Sequence, residues 1–343
     1  MAVIGVMFNL KGEPSDEGEP PDSGAEFDSE STVLSVAGAL EACGHDVRLI
    51  EGNDAAYLKL LTGNIDIVFN MCEGIRGESR ESHIPAILEM LGIPYTGSGV
   101  LTLAATLDKP LTKKILAFHN IPTAKFKVFE SEDEIDTGDL EFPLFLKPAH
   151  EGSSMGISPS SLCNSHLEVV AEARRLIQLY KQPVLAEEFL SGREFTVGLI
   201  GNKDPQVFPV MEINFSEIPE HHGSIYSRQF KAEWSEDKYY SCPARLEPQL
   251  EKQIRDTALR TYRALDCRDF ARVDMRLDKH GVPNVIEVNP LPGMAPGFSD
   301  YPRIAEKAGW PYQELVNGIL VCALKRYGLL HLLTPVSLKK QIA

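Results

Sequence analysis

The stretch that decides the fold is Phe270-Ala271-Arg272-Val273-Asp274-Met275-Arg276-Leu277, which leads through a polar turn into Val285-Ile286-Glu287-Val288-Asn289-Pro290. Both runs are rich in valine, isoleucine and phenylalanine, and the segment between them contains glycine, asparagine and aspartate. Apolar runs on either side of such a turn predict a β-hairpin. We place the centre of the turn at His280 and Gly281.

The predicted hairpin brings four polar side chains to one face. A turn centred there pairs Asp274 with Glu287 and Arg272 with Asn289, and directly opposite side chains lie about 5 Å apart at their Cβ atoms. Opposed carboxylates destabilise a sheet unless a cation lies between them, and oxygen ligands favour Mg²⁺ or Mn²⁺ over zinc. The hairpin therefore predicts a divalent metal site. The alternative is an ordinary exposed hairpin whose charges are solvated, with Arg272 as a salt-bridge partner.

Composition limits the class of protein. The chain has 343 residues, of which 43% are hydrophobic and 24% charged, and we expect two or three packed units of a soluble protein. Its net charge of -15 argues against nucleic acid or an anionic membrane as the main partner. The six cysteines lack the paired spacing of a zinc site, which favours reduced thiols in a cytoplasmic protein. No apolar run approaches the length of a membrane span.

The first hundred residues predict a small parallel sheet. Apolar strands at 1–8, 46–50 and 66–70 alternate with helical stripes at 33–40 and 84–91. This β-α-β-α order favours a parallel sheet with helices on both faces. Because ligands of such sheets bind at the carboxyl ends of the strands, the loops that emerge there are candidate site loops. They span residues 11–31 and 70–81.

The pattern changes after residue 100. Asp108 followed by Lys109 and Pro110 predicts a helix start with Asp108 as the cap. Short apolar strands then follow in close succession, which indicates antiparallel sheets. The predicted strands lie at 144–147, 184–188, 195–200 and 207–213, and the predicted helices at 166–180 and along the apolar stripe from Leu250 to Leu265.

Several segments have the chemistry of a nucleotide site. Lys147 ends a strand and precedes a loop of small residues, Glu151–Gly156, whose glycines and clustered N–H groups suit phosphate oxygens. Lys109 is placed to reach the same phosphates. A plain glycine-serine turn and a solvated lysine are the simpler explanations of these residues taken alone.

Two connections add to this pattern. The segment from Glu187 to Glu194 joins two strands and offers an apolar ledge for adenine and a carboxylate for ribose hydroxyls. An ordinary strand connection is the alternative. After the hairpin, the loop Pro290–Gly297 is too rich in proline and glycine for regular structure, and the Gly293 N–H is positioned to meet developing negative charge.

Taken together, these segments closely resemble the D-alanine:D-alanine ligase branch of the ATP-grasp superfamily, from residue 1 to about residue 330. The resemblance implies an α/β ATP-grasp fold of three domains. These are an N-terminal parallel-sheet, Rossmann-like domain at 1–100, a small central domain at 101–190, and a C-terminal domain with a mixed or antiparallel sheet at 191–335, which carries a lid at 214–241. The matching motifs are GIPYTGS at 92–98, LDK at 107–109, LKP at 146–148, EGSSMG at 151–156, EFTV at 194–197, RVD at 272–274 and EVNPLPGM at 287–294.

The resemblance also implies roles for individual residues. The phosphates of ATP would be held by Lys109, Lys147, the loop residues Glu151, Ser154 and Met155, and Lys231 of the lid. The adenine would contact Glu187, Glu188, Phe189 and Leu190, the ribose Glu194, and two Mg²⁺ (or Mn²⁺) ions would bind Asp274, Glu287 and Asn289. The catalytic residues would be Arg272, Gly293, Ser153 and Lys231, and the amino-acid substrates would be bound by Glu26 or Glu30, Ser153, Tyr226, Gly293 and Ser299.

The implied activity is the synthesis of a dipeptide, as in cell-wall biogenesis. One substrate carboxylate would attack the γ-phosphate of ATP, and the amino group of a second substrate would displace the acyl phosphate formed. A closed lid would exclude water from that intermediate. The resemblance further suggests a homodimer formed through the N-terminal domain.

Departures from the family pattern lie in the half that binds amino acids. The family's Ser-x-Glu-x-x-Val-Ser has no clean match, so Glu26 and Glu30 are rival candidates for the substrate ammonium. Glu73 stands where the family has histidine, and only Ser299 corresponds to its His-Ser-Leu. We therefore expect a D-alanine:D-alanine ligase-like enzyme. The alternatives are the same chemistry on another amino acid or peptide, and an ATP-binding regulatory module without catalysis.

Overall fold

The chain folds as three β-sheets with helices packed around them. The computed structural model describes residues 1–12, 20–215 and 239–334. Within these ranges the first sheet is parallel and the other two are antiparallel. The expected α/β class with a parallel sheet followed by antiparallel sheets is confirmed, and the domain boundaries near residues 100 and 190 stay a prediction.

The first sheet is built from the N-terminal part of the chain. Its elements are β1 Val3–Phe8, α1 Glu30–Glu41, β2 Asp46–Glu51, α2 Ala56–Thr62, β3 Ile67–Asn70 and α3 His83–Leu91. The strand order is β2-β1-β3, and β1 is buried along most of its length. Ser29 caps α1, because its hydroxyl accepts a hydrogen bond of 3.2 Å from the Thr32 N–H.

The second sheet follows two helices. Its elements are α4 Val100–Leu107, α5 Lys109–Phe118, β4 Phe126–Phe129, β5 Leu144–Pro148, β6 Leu162–Cys163, α6 His166–Tyr180 and β7 Val184–Glu188. The strand order is β4-β7-β5-β6. Helix α5 begins as predicted, since the Asp108 carboxylate accepts a hydrogen bond of 2.8 Å from the Leu111 N–H. The buried stripe Val169, Ala173 and Leu176 of α6 packs into the core of this sheet.

The third sheet contains the hairpin. Its elements are β8 Glu194–Ile200, β9 Gln206–Val207, β10 Met211–Ile213, β11 Tyr240–Ser241, α7 Pro248–Ala264, β12 Phe270–Leu277, β13 Pro283–Asn289, α8 Asp300–Lys307 and α9 Tyr312–Arg326. The strand order is β11-β10-β8-β12-β13, with β9 paired to β8. The predicted strand at 207–213 is in fact two strands, β9 and β10. Ile254, Ala258 and Tyr262 of α7 are buried in the core of this sheet, as their helical spacing predicts.

The hairpin has the predicted pairing on its polar face. Asp274 lies opposite Glu287, and Arg272 lies opposite Asn289. This register places all four polar side chains on one face of the hairpin.

The turn position and the regularity of the pairing differ from the prediction. Near the turn, Met275 pairs with Val285, one residue out of step with the polar pairs, and the register shifts between Asp274 and Met275. The extra residue is Ile286, which forms a β-bulge. The turn accordingly centres on His280, since Asp278 N–H donates to the Val282 carbonyl at 3.0 Å.

The C-terminal helices return to the first sheet. Leu315, Ile319 and Leu320 of α9 share one buried cluster with Ile4 and Val6 of β1. Helices α8 and α9 were not predicted from the sequence, and neither were the short helices α2 and α4. Within the described ranges, the helices are all too short or too polar to cross a membrane.

Candidate functional site

A cavity of about 500 Å³ is lined by residues of the second and third sheets and by loops that follow strands of the first sheet. The structure brings most of the predicted site residues to its wall. They are Glu26, Lys109, Lys147, Glu151, Ser153, Ser154, Met155, Glu187, Glu188, Phe189, Leu190, Glu194, Arg272, Asp274, Glu287, Asn289, Gly293 and Ser299.

Three predicted residues are not among them. Glu30 is exposed as the first residue of α1 and does not line the cavity, which leaves Glu26 as the candidate in that loop. Tyr226 and Lys231, with most of the predicted lid at 214–241, lie outside the described residues.

Asp274 is the most densely bonded carboxylate of the hairpin face. Its Oδ2 accepts from Arg272 Nη2 at 2.8 Å and from Asn289 Nδ2 at 3.0 Å. Its Oδ1 accepts from the Thr196 hydroxyl at 2.5 Å. These contacts fix the orientation of the carboxylate and hold Arg272 beside it.

Glu287 faces Lys109, the first residue of helix α5. Lys109 Nζ lies 2.9 Å from Glu287 Oε1, and it also donates to the Glu151 carbonyl oxygen. Burial alone would raise the pKa of Glu287, but the ammonium groups of Lys109 and Lys147 lower it to about 2. Glu287 is therefore ionised at neutral pH and ready to bind a cation.

The chemistry of this face fits a hard divalent cation. Asp274, Glu287 and the amide oxygen of Asn289 form an oxygen-only donor set, which Mg²⁺ and Mn²⁺ prefer. Among the described residues, no three His, Cys, Asp or Glu side chains converge on one metal position, and the hairpin face itself offers two carboxylates and an amide oxygen. The hairpin face thus remains the best candidate metal site.

A buried ion bridge lies beside the hairpin. Glu187 Oε2 lies 2.9 Å from Lys113 Nζ, and Glu187 Oε1 lies 2.9 Å from Lys147 Nζ. Burial would raise the pKa of Glu187, yet the two ammonium groups lower it to about 2. Lys113 was not predicted as a site residue. It follows Lys109 by four residues, however, and therefore lies on the same face of α5.

The glycine-serine loop is held in a defined conformation against the N-terminal loop. Ser153 and Ser154 have φ values of 48° and 60°, a left-handed backbone that non-glycine residues adopt at a cost. The Gly156 N–H donates to the Asp22 carboxylate at 2.8 Å, and the same carboxylate accepts from the Tyr180 hydroxyl at 2.7 Å. Two segments far apart in sequence therefore close over the same cavity.

The predicted adenine ledge carries a stacked arginine. The Arg276 guanidinium lies 4.7 Å from the Phe189 ring centroid and 4.9 Å from that of Phe215. It also lies 3.4 Å from Glu194 Oε2 and donates to the Gly192 carbonyl at 3.0 Å. The flat, partly cationic surface formed this way suits a planar ring.

The opposite end of the cavity is organised by Arg80, which the sequence reading also missed. Its Nε donates to Glu26 at 2.7 Å, its Nη2 to Glu151 at 2.9 Å and its Nη1 to the His150 carbonyl at 2.8 Å. The side chain is only 9% exposed. Its place in the loop at 70–81, at the carboxyl end of β3, was the available signal.

Gly293 and Ser299 meet at the same end of the site. A Cβ atom on Gly293 would lie 2.8 Å from the Ser299 hydroxyl oxygen, so glycine permits this close approach. The Ser299 hydroxyl in turn accepts a hydrogen bond of 3.1 Å from the Ala295 N–H. The loop after the hairpin is thereby fixed with the Gly293 backbone at the cavity wall.

Comparison with known proteins identifies the class. The structure matches the crystal structure of D-alanine--D-alanine ligase from Bacillus anthracis complexed with ATP, with a TM-score of 0.74 and 24% identity over 96% of this chain and 99% of that chain. The fold is therefore the ATP-grasp fold of that ligase.

Sequence comparison narrows the class to one family. The model of the D-ala D-ala ligase C-terminus matches residues 115–321. D-alanine--D-alanine ligase from Cupriavidus necator is 33% identical over 84% of this chain and 85% of its own length. The uncharacterized protein y4sG from Sinorhizobium fredii is 38% identical over 85% of this chain and 87% of its own length. The chain belongs to the D-alanine--D-alanine ligase family and is an ATP-grasp ligase.

Proposed function

We propose that this enzyme joins a carboxylate to an amine at the expense of ATP, through an acyl-phosphate intermediate, as a D-alanine--D-alanine ligase does. One observation carries the proposal. The hairpin face with Arg272, Asp274 and Glu287 opens into the same cavity as Lys109 and Lys147. Phosphoryl transfer requires such a concentration of cations and metal-binding oxygens, because its transition state is dominated by negative charge.

The two lysines are suited to bind phosphates. In the structure each is held by a carboxylate, Lys109 by Glu287 and Lys147 by Glu187. Both are nearly buried, at 9% and 5% side-chain exposure, so their charges are poorly screened by water. Bound phosphate oxygens would share these ammonium groups with the carboxylates.

The metal requirement follows from the donor set already described. Asp274, Glu287 and Asn289 would hold two Mg²⁺ or Mn²⁺ ions, and such ions supply charge neutralisation at the transferring phosphate. Thr196 and Arg272 orient Asp274 by direct hydrogen bonds. Such hydrogen bonds hold the carboxylate in one orientation, which reduces the reorganisation needed on metal binding.

The remaining roles concern the reacting groups. Arg272 and the Gly293 N–H would stabilise charge that develops on the acyl carbon's oxygen, and Ser153 would contact the amino-acid substrate. The nucleotide base would lie along Glu187, Glu188, Phe189 and Leu190, with Glu194 at the ribose. Lys231 and Tyr226 keep their predicted roles in the lid as a proposal.

Assembly and location are part of the same proposal. We expect a homodimer formed through the N-terminal domain, in the cytoplasm. Large apolar side chains exposed on that part of the chain support the dimer; they include Leu49, Leu58 and Leu61, at 45%, 63% and 55% exposure. Sedimentation equilibrium of the purified protein would test it, and a monomer at micromolar concentration would contradict it.

The activity is tested by ADP release. Purified protein with ATP and Mg²⁺ should release ADP only when both an acid and an amine substrate are present, and mass spectrometry should detect the dipeptide. D-alanine is the reference substrate, and other amino acids of both configurations form the panel. ADP release with another pair but not with D-alanine would support the specialised-ligase alternative. ATP binding without ADP release on any pair would support the regulatory module instead.

A further inference from the structure

One end of the cavity carries more carboxyl groups than the proposed chemistry uses. Asp28, Glu73 and Glu81 all line the cavity. In the part of the chain that the structure describes, their carboxylates have no ion-pair partner within 4.0 Å. Carboxyl groups do not attract phosphate, so this end differs in character from the lysine-rich end.

The Arg80 guanidinium at this end is already hydrogen-bonded. Arg80 directs its Nε and Nη2 groups to Glu26 and Glu151 and its Nη1 to the His150 carbonyl. Glu151 also accepts from Gln182 Nε2 at 2.6 Å. Arg80 therefore pairs directly with Glu26 and Glu151, while its charge acts on Glu73 and Glu81 only from beyond ion-pair distance.

A second, independent feature indicates a polar ligand at this end. Asn70 is 1% exposed, and its Nδ2 has no hydrogen-bond partner among the described residues. Its orientation is fixed, because its Oδ1 accepts from the Cys72 N–H at 3.2 Å. Asn70 lines a small cavity of about 20 Å³ together with Glu26, Asp28 and Glu73. That volume holds one water-sized group, which would accept from Asn70 and donate to a carboxylate.

We infer that this acidic end binds the positively charged side chain of an amino-acid substrate, so that the substrate carries a second cation besides its α-ammonium group. The inference rests on the proposed ligase function and names the substrate class of the same site. Glu26, which Arg80 holds in place, is left for the α-ammonium group, while Glu73 and Glu81 receive the side-chain cation. Diamino acids and peptides that begin with a basic residue have this chemistry.

The electrostatics of the carboxyl groups agree with this assignment. Burial and repulsion from Glu26 raise the pKa of Glu81 to about 8, and burial with repulsion from Glu81 raises that of Glu73. Burial raises the pKa of Asp28 to about 7. A bound cation would favour the ionised forms of all three groups. A neutral side chain such as a methyl group would leave these half-buried carboxyl groups without a partner.

The first experiment compares substrates of matched size. Wild-type enzyme is assayed for ADP release with lysine, ornithine and norleucine as first substrate, each in both configurations. A charge-assisted contact predicts a kcat/KM for lysine or ornithine roughly 10- to 100-fold above that for norleucine. Equal or better use of norleucine or alanine would overturn the inference and leave the ligase function intact.

The second experiment removes the charges. Glu73→Gln and Glu81→Gln, alone and combined, should reduce the preference for lysine over norleucine while the KM for ATP stays unchanged. Glu78→Gln is the matched control, because Glu78 lies exposed on the same loop. A double variant with the wild-type preference would overturn the inference. If a variant does not fold, the wild-type comparison decides by itself.

A binding measurement separates this inference from the ligase proposal. Calorimetric titration of the protein with lysine, ornithine and norleucine requires no turnover. Lysine binding that is lost in Glu73→Gln and Glu81→Gln would support the inference even if ADP release failed with every pair, a result that would refute the ligase proposal alone. Absence of any preference for the cationic ligands in both assays would refute the inference.

Discussion

Replacement of Glu187 by glutamine tests the buried charge at the centre of the cavity wall. The side chains of Glu187, Lys113 and Lys147 are 8%, 2% and 5% exposed, and each ammonium nitrogen lies 2.9 Å from a Glu187 oxygen. Removal of one partner from a buried ion pair costs about 3–5 kcal/mol, because the remaining charge is left uncompensated. Lys113 retains the Thr123 hydroxyl at 2.7 Å. We therefore expect the lower end of that range, about 3 kcal/mol at pH 7.

The pH dependence of this loss has a definite sign. The pKa of Glu187 is lowered in the folded protein from its ordinary value of 4.5 to about 2. A carboxyl group with a depressed pKa stabilises the fold above its unfolded pKa, and that contribution is lost as the pH falls. The difference in unfolding free energy between wild type and Glu187→Gln should be constant from pH 7 to 5. It should narrow between pH 4.5 and 2.

Urea unfolding followed by circular dichroism measures the effect. Glu188→Gln is the matched control, since Glu188 is 23% exposed and lies 3.7 Å from Lys125, and its loss should cost less than about 1 kcal/mol. The double variant Lys113→Met with Glu187→Gln should be more stable than Glu187→Gln alone, because one of the two uncompensated ammonium groups is gone. A Glu187→Gln variant within about 1 kcal/mol of wild type at pH 7 would refute the reasoning.

Three further predictions concern the hairpin and the glycine turns. Glu287→Gln should lower turnover by at least about 100-fold through weakened metal binding, measured as ADP release, whereas Lys279→Gln at the exposed hairpin tip should match wild type. Arg272→Ala should lower kcat with little change in the KM for ATP, because charge develops beside it only in the transition state; a raised KM with unchanged kcat would contradict its role. Gly74→Ala should destabilise the protein more than Gly281→Ala in thermal unfolding. Both glycines have φ near +80°, but a Cβ on Gly74 would lie 2.2 Å from a backbone oxygen and one on Gly281 meets nothing within 4 Å.

The parts of the fold that the sequence predicted are those set by local pattern. The Asp108 cap, the parallel first sheet and helix α6 depend on residues close together in the chain. The predicted pairing of Asp274 with Glu287 is confirmed, but the turn lies half a residue from its predicted centre, and the unpredicted bulge at Ile286 restores the register.

What the sequence did not predict depends on contacts between distant segments. Arg80 meets Glu26 and Glu151, which lie 54 and 71 positions away, and no periodicity connects such residues. Helix α9 packs against β1 from the far end of the chain. Its apolar stripe is visible in the sequence and predicts a buried face. The stripe does not show which of the three sheets that face packs against.

The bulge at Ile286 changes which side chains of β13 face the cavity. In a regular strand, consecutive residues point to opposite faces. The extra residue lets Ile286 and Glu287 both face the cavity, while Val285 and Val288 on either side remain buried in the core of the third sheet. An apolar surface and an ionised carboxylate therefore stand side by side on one strand. Ile286 can make an apolar contact and Glu287 a charged contact with neighbouring parts of one bound molecule. Neither contact requires a side chain to leave the core.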